Sequence, residues 1–272
     1  MSHNPPALRA KLEVTHLNGK VLIITGSTGI GAAAARPAAA SGARLVIATQ
    51  DEISGFDLAA ETGAECWAGD LARPDSAASI LSQCLSKFGR VDAVFNVAGL
   101  SGRRFGDGPV HEVDDAGWET TMSHNVTIMF RMCRAAIGRM LEQEAASDGV
   151  RGAIVNLGSV LAQAPEPRHF ATHAYAAAKG AVEAMSRSMA AFYAPHGIRI
   201  NVLVPGLVRT PAGERTQSPE LQDFVRKKQP LTGGLIDAED VARAALFLLS
   251  GGSRAITGQA LAVDGGWRLT GV

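Results

Sequence analysis

The chain has 272 residues, 46% of them hydrophobic, and 26 basic side chains balance 26 acidic ones. That length fills one sizeable α/β domain, and zero formal charge offers no global field for nucleic acid or an anionic membrane. No apolar run approaches the ~20 residues that span a bilayer. Residues 1–19 are polar, with Pro5 and Pro6 and no signal-peptide core, so a cytoplasmic protein is expected.

Residues 1–18 read as an N-terminal extension and 19–272 as a single domain. Val21-Leu22-Ile23-Ile24 is a short apolar run ending at Thr25-Gly26, the pattern of a buried parallel strand. Further strands are predicted at 45–48, 91–95, 153–157 and 198–204. Helices are predicted at 32–41, 74–88, 114–141, 173–194 and 238–249, and a helix containing Pro37 must lose one backbone bond, a cost of ~3 kcal/mol unless it kinks. Strands alternating with helices of this length give βαβ units. The expected fold is α/β: one Rossmann-like domain, a doubly wound and mostly parallel sheet of about seven strands, with helices on both faces. Residues 207–234 break the rhythm with proline and polar residues, and a loop of that length suggests a substrate lid. Cys66, Cys84 and Cys133 lack metal or redox spacing and read as buried free thiols. No metal site is expected.

Two patterns carry chemistry. Gly26-Ser27-Thr28-Gly29-Ile30-Gly31 follows the first strand and opens a helix. Glycines there let the backbone approach a pyrophosphate, and the helix N-terminus supplies free N–H groups and partial positive charge. Tyr175 stands one helical turn before Lys179, so phenol and ammonium share a face. A cation that close is expected to lower the phenol pKa and make it a proton donor and acceptor nearer neutrality. Ser159, one loop upstream, is placed to hold the same substrate oxygen. Either His169 or His173 could serve as a base instead, although solvated loop histidines are the simpler reading.

From residue 18 to 267 the motif order resembles the short-chain dehydrogenase/reductase family. The glycine loop is one residue shorter than the family's Thr-Gly-x-x-x-Gly-x-Gly, so a tighter turn is expected. Asn96-Val97-Ala98-Gly99 is similar to the family's Asn-Asn-Ala-Gly element, and Asp70 with Leu71 to the segment that meets the adenine. Pro205, Gly206, Val208 and Thr210 lie in a stretch similar to the loop that receives the nicotinamide carboxamide. The resemblance implies Tyr175 as general acid/base, Lys179 on the nicotinamide ribose, Ser159 on the reacting oxygen and Asn125 in a proton relay. It also implies a homotetramer, so the stripe Met122, Met129, Phe130, Met132 and Met140 reads either as core packing or, in part, as contact with a neighbouring subunit.

The second strand ends Ala48-Thr49-Gln50-Asp51. An acid at the position of Thr49 would select NAD through the ribose hydroxyl, and an arginine would accept the phosphate of NADP. Ser27, Thr28, Thr49 and Gln50 carry no positive charge, so NAD is expected over NADP. Between Ser159 and Tyr175 the spacing is three residues wider than usual, placing residues 163–170 over the substrate. Leu100, Ser101, Val160, Leu161, Phe170, Leu207 and Val208 make a mostly apolar pocket, which suits an uncharged or hydrophobic alcohol or ketone. The activity implied is NAD(P)-dependent hydride transfer to or from a secondary alcohol or ketone. The alternative is a nucleotide-binding regulator without turnover.

Overall fold

The computed structural model describes residues 17–146, 149–210 and 218–271. The extension at 1–16 and the middle of the proposed lid therefore lie outside the described residues. Seven strands form one parallel sheet: β1 Val21–Thr25, β2 Arg44–Thr49, β3 Glu65–Ala68, β4 Ala93–Asn96, β5 Gly152–Leu157, β6 Ile198–Pro205 and β7 Ala260–Val263, in the order 3-2-1-4-5-6-7. Nearly all residues of β1, β4, β5 and β6 are buried, because helices cover both faces, while the edge strands β3 and β7 stay half-buried.

The helices are α1 Gly29–Ala40, α2 Glu52–Thr62, α3 Ser76–Phe88, α4 Asp115–Met122, α5 Ile128–Glu142, α6 Val160–Gln163, α7 His173–Tyr193, α8 Pro219–Lys228 and α9 Ala238–Leu249. One face of the sheet packs against α1 and α9, where Ala34, Ala35 and Ala38 meet Val241, Ala242 and Ala245. The other face packs against α3, α5 and α7 through Ile80, Met132, Cys133, Met140 and Val182. Small alanines let α1 and α9 come close together. Pro37 lies on the exposed side of α1, and the helix continues through it to Ala40.

The helix expected over 114–141 is not one helix. A π-helical stretch at Ser123–Thr127 separates α4 from α5. The methionine stripe divides as well: Met129, Met132 and Met140 are buried in the sheet core, whereas Phe130 on the same helix is 40% exposed. Cys84 and Cys133 are buried free thiols, and burial pushes both up to about 12, so they stay protonated at neutral pH. Among the described residues no helix is long and apolar enough to cross a membrane, and no acid, histidine and cysteine cluster could hold a metal ion.

Candidate active site

From β1 the chain winds outward through β2 and β3, then returns to place β4 on the other side of β1. A crevice opens outside the carboxyl ends of two such strands. It is locked by Thr25, whose Oγ1 accepts from the N–H groups of Val97 and Ala98 at 2.9 and 3.0 Å. The glycine loop crosses this crevice. Gly26 and Gly29 have φ of +102° and +51°, which side chains rarely adopt. A Cβ on Gly31 would lie 2.2 Å from the Gly26 carbonyl oxygen, and one on Gly29 would lie 3.1 Å from Thr210 Cγ2. Thr28 stands at the N-cap of α1 and gives no side-chain bond; its carbonyl takes Gly31 N at 3.1 Å, and the N–H groups ahead of Gly31 get no side-chain cap. Ile30 turns into the core. This cradle, closed to any Cβ and open at a helix N-terminus, fits a dinucleotide pyrophosphate.

The shorter loop turns Ser27 inward. Its Oγ lies 2.8 Å from Thr49 Oγ1 and 2.6 Å from Ser54 Oγ, so three hydroxyls occupy the end of β2. Gln50 is exposed, and Asp51 is spent as the N-cap of α2, its Oδ1 accepting from Ser54 N at 3.3 Å. A cleft of about 460 Å³ opens beside Ser27, Thr28 and Gly29. Its two arginines are ion-paired, Arg36 with Glu61 at 2.7 Å and Arg209 with Asp237 at 3.2 Å. Asp70 ends the turn after β3, exposed, with Oδ1 accepting from Ala72 N at 2.9 Å, while Leu71 is buried.

Ser159, Tyr175 and Lys179 meet at the end of β5. Ser159 follows this strand and is 7% exposed, and its Oγ accepts from Leu161 N at 3.2 Å, capping α6. Tyr175 lies in the first turn of α7, with its phenol close enough to the Ser159 hydroxyl to feel it. Lys179, one turn on, is buried, with Nζ 5.5 Å from the Tyr175 ring centroid and donating to the Leu157 carbonyl at 2.8 Å. Gly99 stands between Lys179 and Asn125: a Cβ there would lie 2.6 Å from Asn125 Oδ1 and 3.5 Å from Lys179 Nζ. The π-helical stretch holds Asn125 in place, with its Nδ2 donating to the carbonyls of Leu100 and Thr121, each at 2.9 Å. Its Oδ1 is buried without a partner.

The protonation of this cluster differs from the expectation of a tyrosine acidified by lysine. Burial pushes the Tyr175 phenol above its usual value of 10, and the neighbouring Ser159 hydroxyl only partly offsets this. Burial also brings Lys179 down, to about 8. The lysine aims its ammonium at the Leu157 carbonyl rather than at the phenol oxygen. In this state Tyr175 is a neutral proton donor at pH 7.

Asn96, at the end of β4, donates Nδ2 to Asn156 Oδ1 at 2.8 Å, tying β4 to β5 beneath the site, and Ala98 packs on the core nearby. Pro205 closes β6, and Gly206 N reaches Val263 O at 3.1 Å. Val208 bridges to Ile236, across from Gly29 and Thr210. Gln229, fully buried, organises this loop: its Oε1 accepts from Leu207 N at 2.6 Å, and its Nε2 donates to Gly234 O at 2.6 Å. Nothing in the local sequence marks Gln229, because Leu207, which it holds at both N and O, lies 22 residues upstream. The loop 163–170 is held by aromatic rings: His169 leans against Phe224, tilted by 49° with centroids 4.6 Å apart, and Phe170 and Phe224 meet Trp267 edge-on at 6.1 and 5.8 Å. His173 opens α7, with Nδ1 accepting from Val110 N at 3.0 Å.

Residues 24–268 match a family model described as Enoyl-(Acyl carrier protein) reductase. The chain is 34% identical over 259 residues to a 2,5-dichloro-2,5-cyclohexadiene-1,4-diol dehydrogenase of Sphingobium indicum, covering 93% of this chain and 99% of that one. It is 37% identical to an inactive 2-(S)-hydroxypropyl-CoM dehydrogenase 2 of Xanthobacter autotrophicus, over 85% of this chain and 98% of the relative. The crystal structure of gox2181 superimposes with a TM-score of 0.84 at 29% identity, covering 93% of this chain and 97% of that one.

Proposed function

The chain belongs to the short-chain dehydrogenase/reductase family and is an oxidoreductase acting on alcohols, and on that premise we propose that it moves a hydride between NAD and an uncharged secondary alcohol or ketone. One observation carries this reading: the Tyr175 phenol, the Ser159 hydroxyl and the Lys179 ammonium converge at the end of β5, beside the glycine crevice.

Gly26–Gly31 and the start of α1 would hold the pyrophosphate, Asp70 and Leu71 the adenine side, Lys179 the nicotinamide ribose, and Pro205, Gly206, Val208 and Thr210 the carboxamide. The nicotinamide ring, when bound, supplies or takes the hydride. Ser159 would hold the reacting oxygen while Tyr175 gives it a proton in reduction and takes one in oxidation. Neutral phenol suits the first direction. For the second, a lysine charged at pH 7 stands by the ring to favour the anion. The orphan Oδ1 of Asn125 beside Lys179 is placed to accept from a bridging water and so to pass a proton outward.

NAD is proposed over NADP because the end of β2 presents neutral hydroxyls, which cannot offset a phosphate charge. The apolar cluster of buried Val160 and Trp267, with Leu161, Phe170 and Leu207 packed against it, gives the ground beside Ser159 that suits an uncharged or hydrophobic substrate. The segment 207–234, with α8, would close over it as a lid. Trp118, Phe130, Leu141 and Phe192 leave apolar surface on α4, α5 and α7, which a homotetramer would cover.

The test is NADH and NADPH oxidation over a panel of ketones, run with the wild type and Tyr175→Phe. Turnover with NADH is expected to be faster, and the variant should lose about 10²–10⁴-fold while still binding nucleotide. Near-wild-type turnover by Tyr175→Phe would overturn the mechanism. Nucleotide binding without turnover on any ketone or alcohol would favour the regulator reading.

A further inference from the structure

The helix that carries Tyr175 and Lys179 has an unusual beginning. The first turn of any helix presents N–H groups without intrahelical partners. In α7 the N-cap residue Thr172 gives no side-chain cap, its hydroxyl donating to the Phe170 carbonyl at 3.3 Å. The partner comes instead from Asp107, in the loop between β4 and α4. Asp107 Oδ1 accepts from Ala174 N and Oδ2 from Tyr175 N, each at 2.9 Å. The carboxylate is 6% exposed.

Two bonds from adjacent N–H groups to one carboxylate fix both the position and the tilt of the turn. The negative charge also suits the positive end of the helix. Flanking bonds extend the grip. His173 N donates to Gly108 O at 3.1 Å, and Val110 N donates to His173 Nδ1 at 3.0 Å. Asp107 is itself held, its N–H reaching Gly102 O at 3.2 Å. Gly102, at φ +74°, leaves no room for a Cβ, which would lie 2.8 Å from Asp107 Cβ and 2.4 Å from Thr121 Oγ1. On the far side Arg103 donates to the His169 carbonyl. The segment 102–110 thus holds the chain both before and at Tyr175. The same loop begins at Gly99, beside Asn125 and Lys179.

We infer that Asp107 is a positioning residue for proton transfer: through the backbone of Ala174 and Tyr175 it sets where the phenol stands relative to Ser159 and the substrate oxygen. The inference rests on the catalytic reading of Tyr175 given above. A general acid has to lie within hydrogen-bond reach of the atom it protonates, and a misplacement of about 1 Å costs ~10²-fold. Asparagine at 107 keeps the shape but offers one acceptor and turns an N–H₂ towards the second backbone donor. Glutamate keeps both acceptors and the charge.

The experiment compares wild type, Asp107→Asn, Asp107→Glu and Tyr175→Phe on one ketone or alcohol that the wild type turns over. Asp107→Asn is expected to lower kcat about 10- to 100-fold, with KM and nucleotide Kd within about threefold of wild type. Asp107→Glu should lose clearly less. Amide exchange should quicken in the peptide 171–176 and not in α5. If Asp107→Asn does not fold, Asp107→Ser, which keeps one acceptor, carries the same expectation. The inference is overturned if Asp107→Asn keeps kcat within twofold. It is also overturned if the loss falls on KM or nucleotide Kd alone, or if the glutamate variant loses as much as the asparagine. Tyr175→Phe separates the two levels: survival of its activity overturns the catalytic reading, while its loss beside an unaffected Asp107→Asn overturns only the role of Asp107.

Discussion

In the role proposed for it Lys179 sets function against stability, and the size of the conflict follows from its burial. Its side chain is 3% exposed, and desolvation lowers its pKa from 10.5 to about 8. A group whose folded pKa lies below its unfolded one binds protons better when unfolded, so it destabilises the fold wherever both states are charged. At pH 7 that cost is about 3 kcal/mol, from ~1.4 kcal/mol per pKa unit. Lys179→Met removes the cost but also removes the bond to the Leu157 carbonyl, worth ~1 kcal/mol. The nucleotide-free variant should therefore be about 2 kcal/mol more stable than wild type at pH 7, a rise of roughly 4–8 °C in Tm for a chain this size. It should also be inactive. The advantage has a pH signature: the penalty is complete below pH 8 and is relieved as pH rises from about 8 towards 10.5, so the two proteins should converge near pH 10. Urea denaturation at pH 7 and pH 10, at fixed protein concentration, measures both quantities. A variant no more stable than wild type at pH 7, or an advantage unchanged at pH 10, would refute the reasoning.

Two further outcomes are open to direct measurement. Gly99→Ala puts a Cβ 2.6 Å from Asn125 Oδ1, so it should displace that amide and lower kcat at least tenfold while costing ~1–3 kcal/mol of stability; unchanged turnover would remove Asn125 from the proton path. Sedimentation at micromolar concentration should give a mass near four chains, or two at least, and a clean monomer would count against the assembly.

Much of the sheet is legible in the sequence because its strands are buried on both sides and read as unbroken apolar runs, Val21 to Ile24 most clearly. Helix α2 carries no comparable signal, since it buries only Gly55, Leu58 and Ala59. Helix α8 lies inside what reads as a loop, although Ser218 and Pro219 form an N-cap and first-turn pair that marks its start. The spacing of Tyr175 and Lys179 gives their shared face but not the direction of the ammonium, because the Leu157 carbonyl that attracts it comes from another strand. Asp107 is invisible for the same reason, since the N–H groups it binds lie 67 and 68 residues on, and Gln229 in part, since it joins Leu207 to Gly234.

On the proton path proposed above, the π-helical stretch at Ser123–Thr127 sets the regularity of the helix against the placement of Asn125. It interrupts a helix that the local sequence would continue, and the side-chain amide of Asn125 draws the Leu100 and Thr121 carbonyls together across the break. Removing one residue would restore an even helix and swing position 125 about 100° around its axis, away from Gly99 and Lys179. A library screened only for survival at high temperature would therefore gather variants with the irregularity ironed out. Such survivors would be sturdier proteins that no longer face an amide towards the lysine.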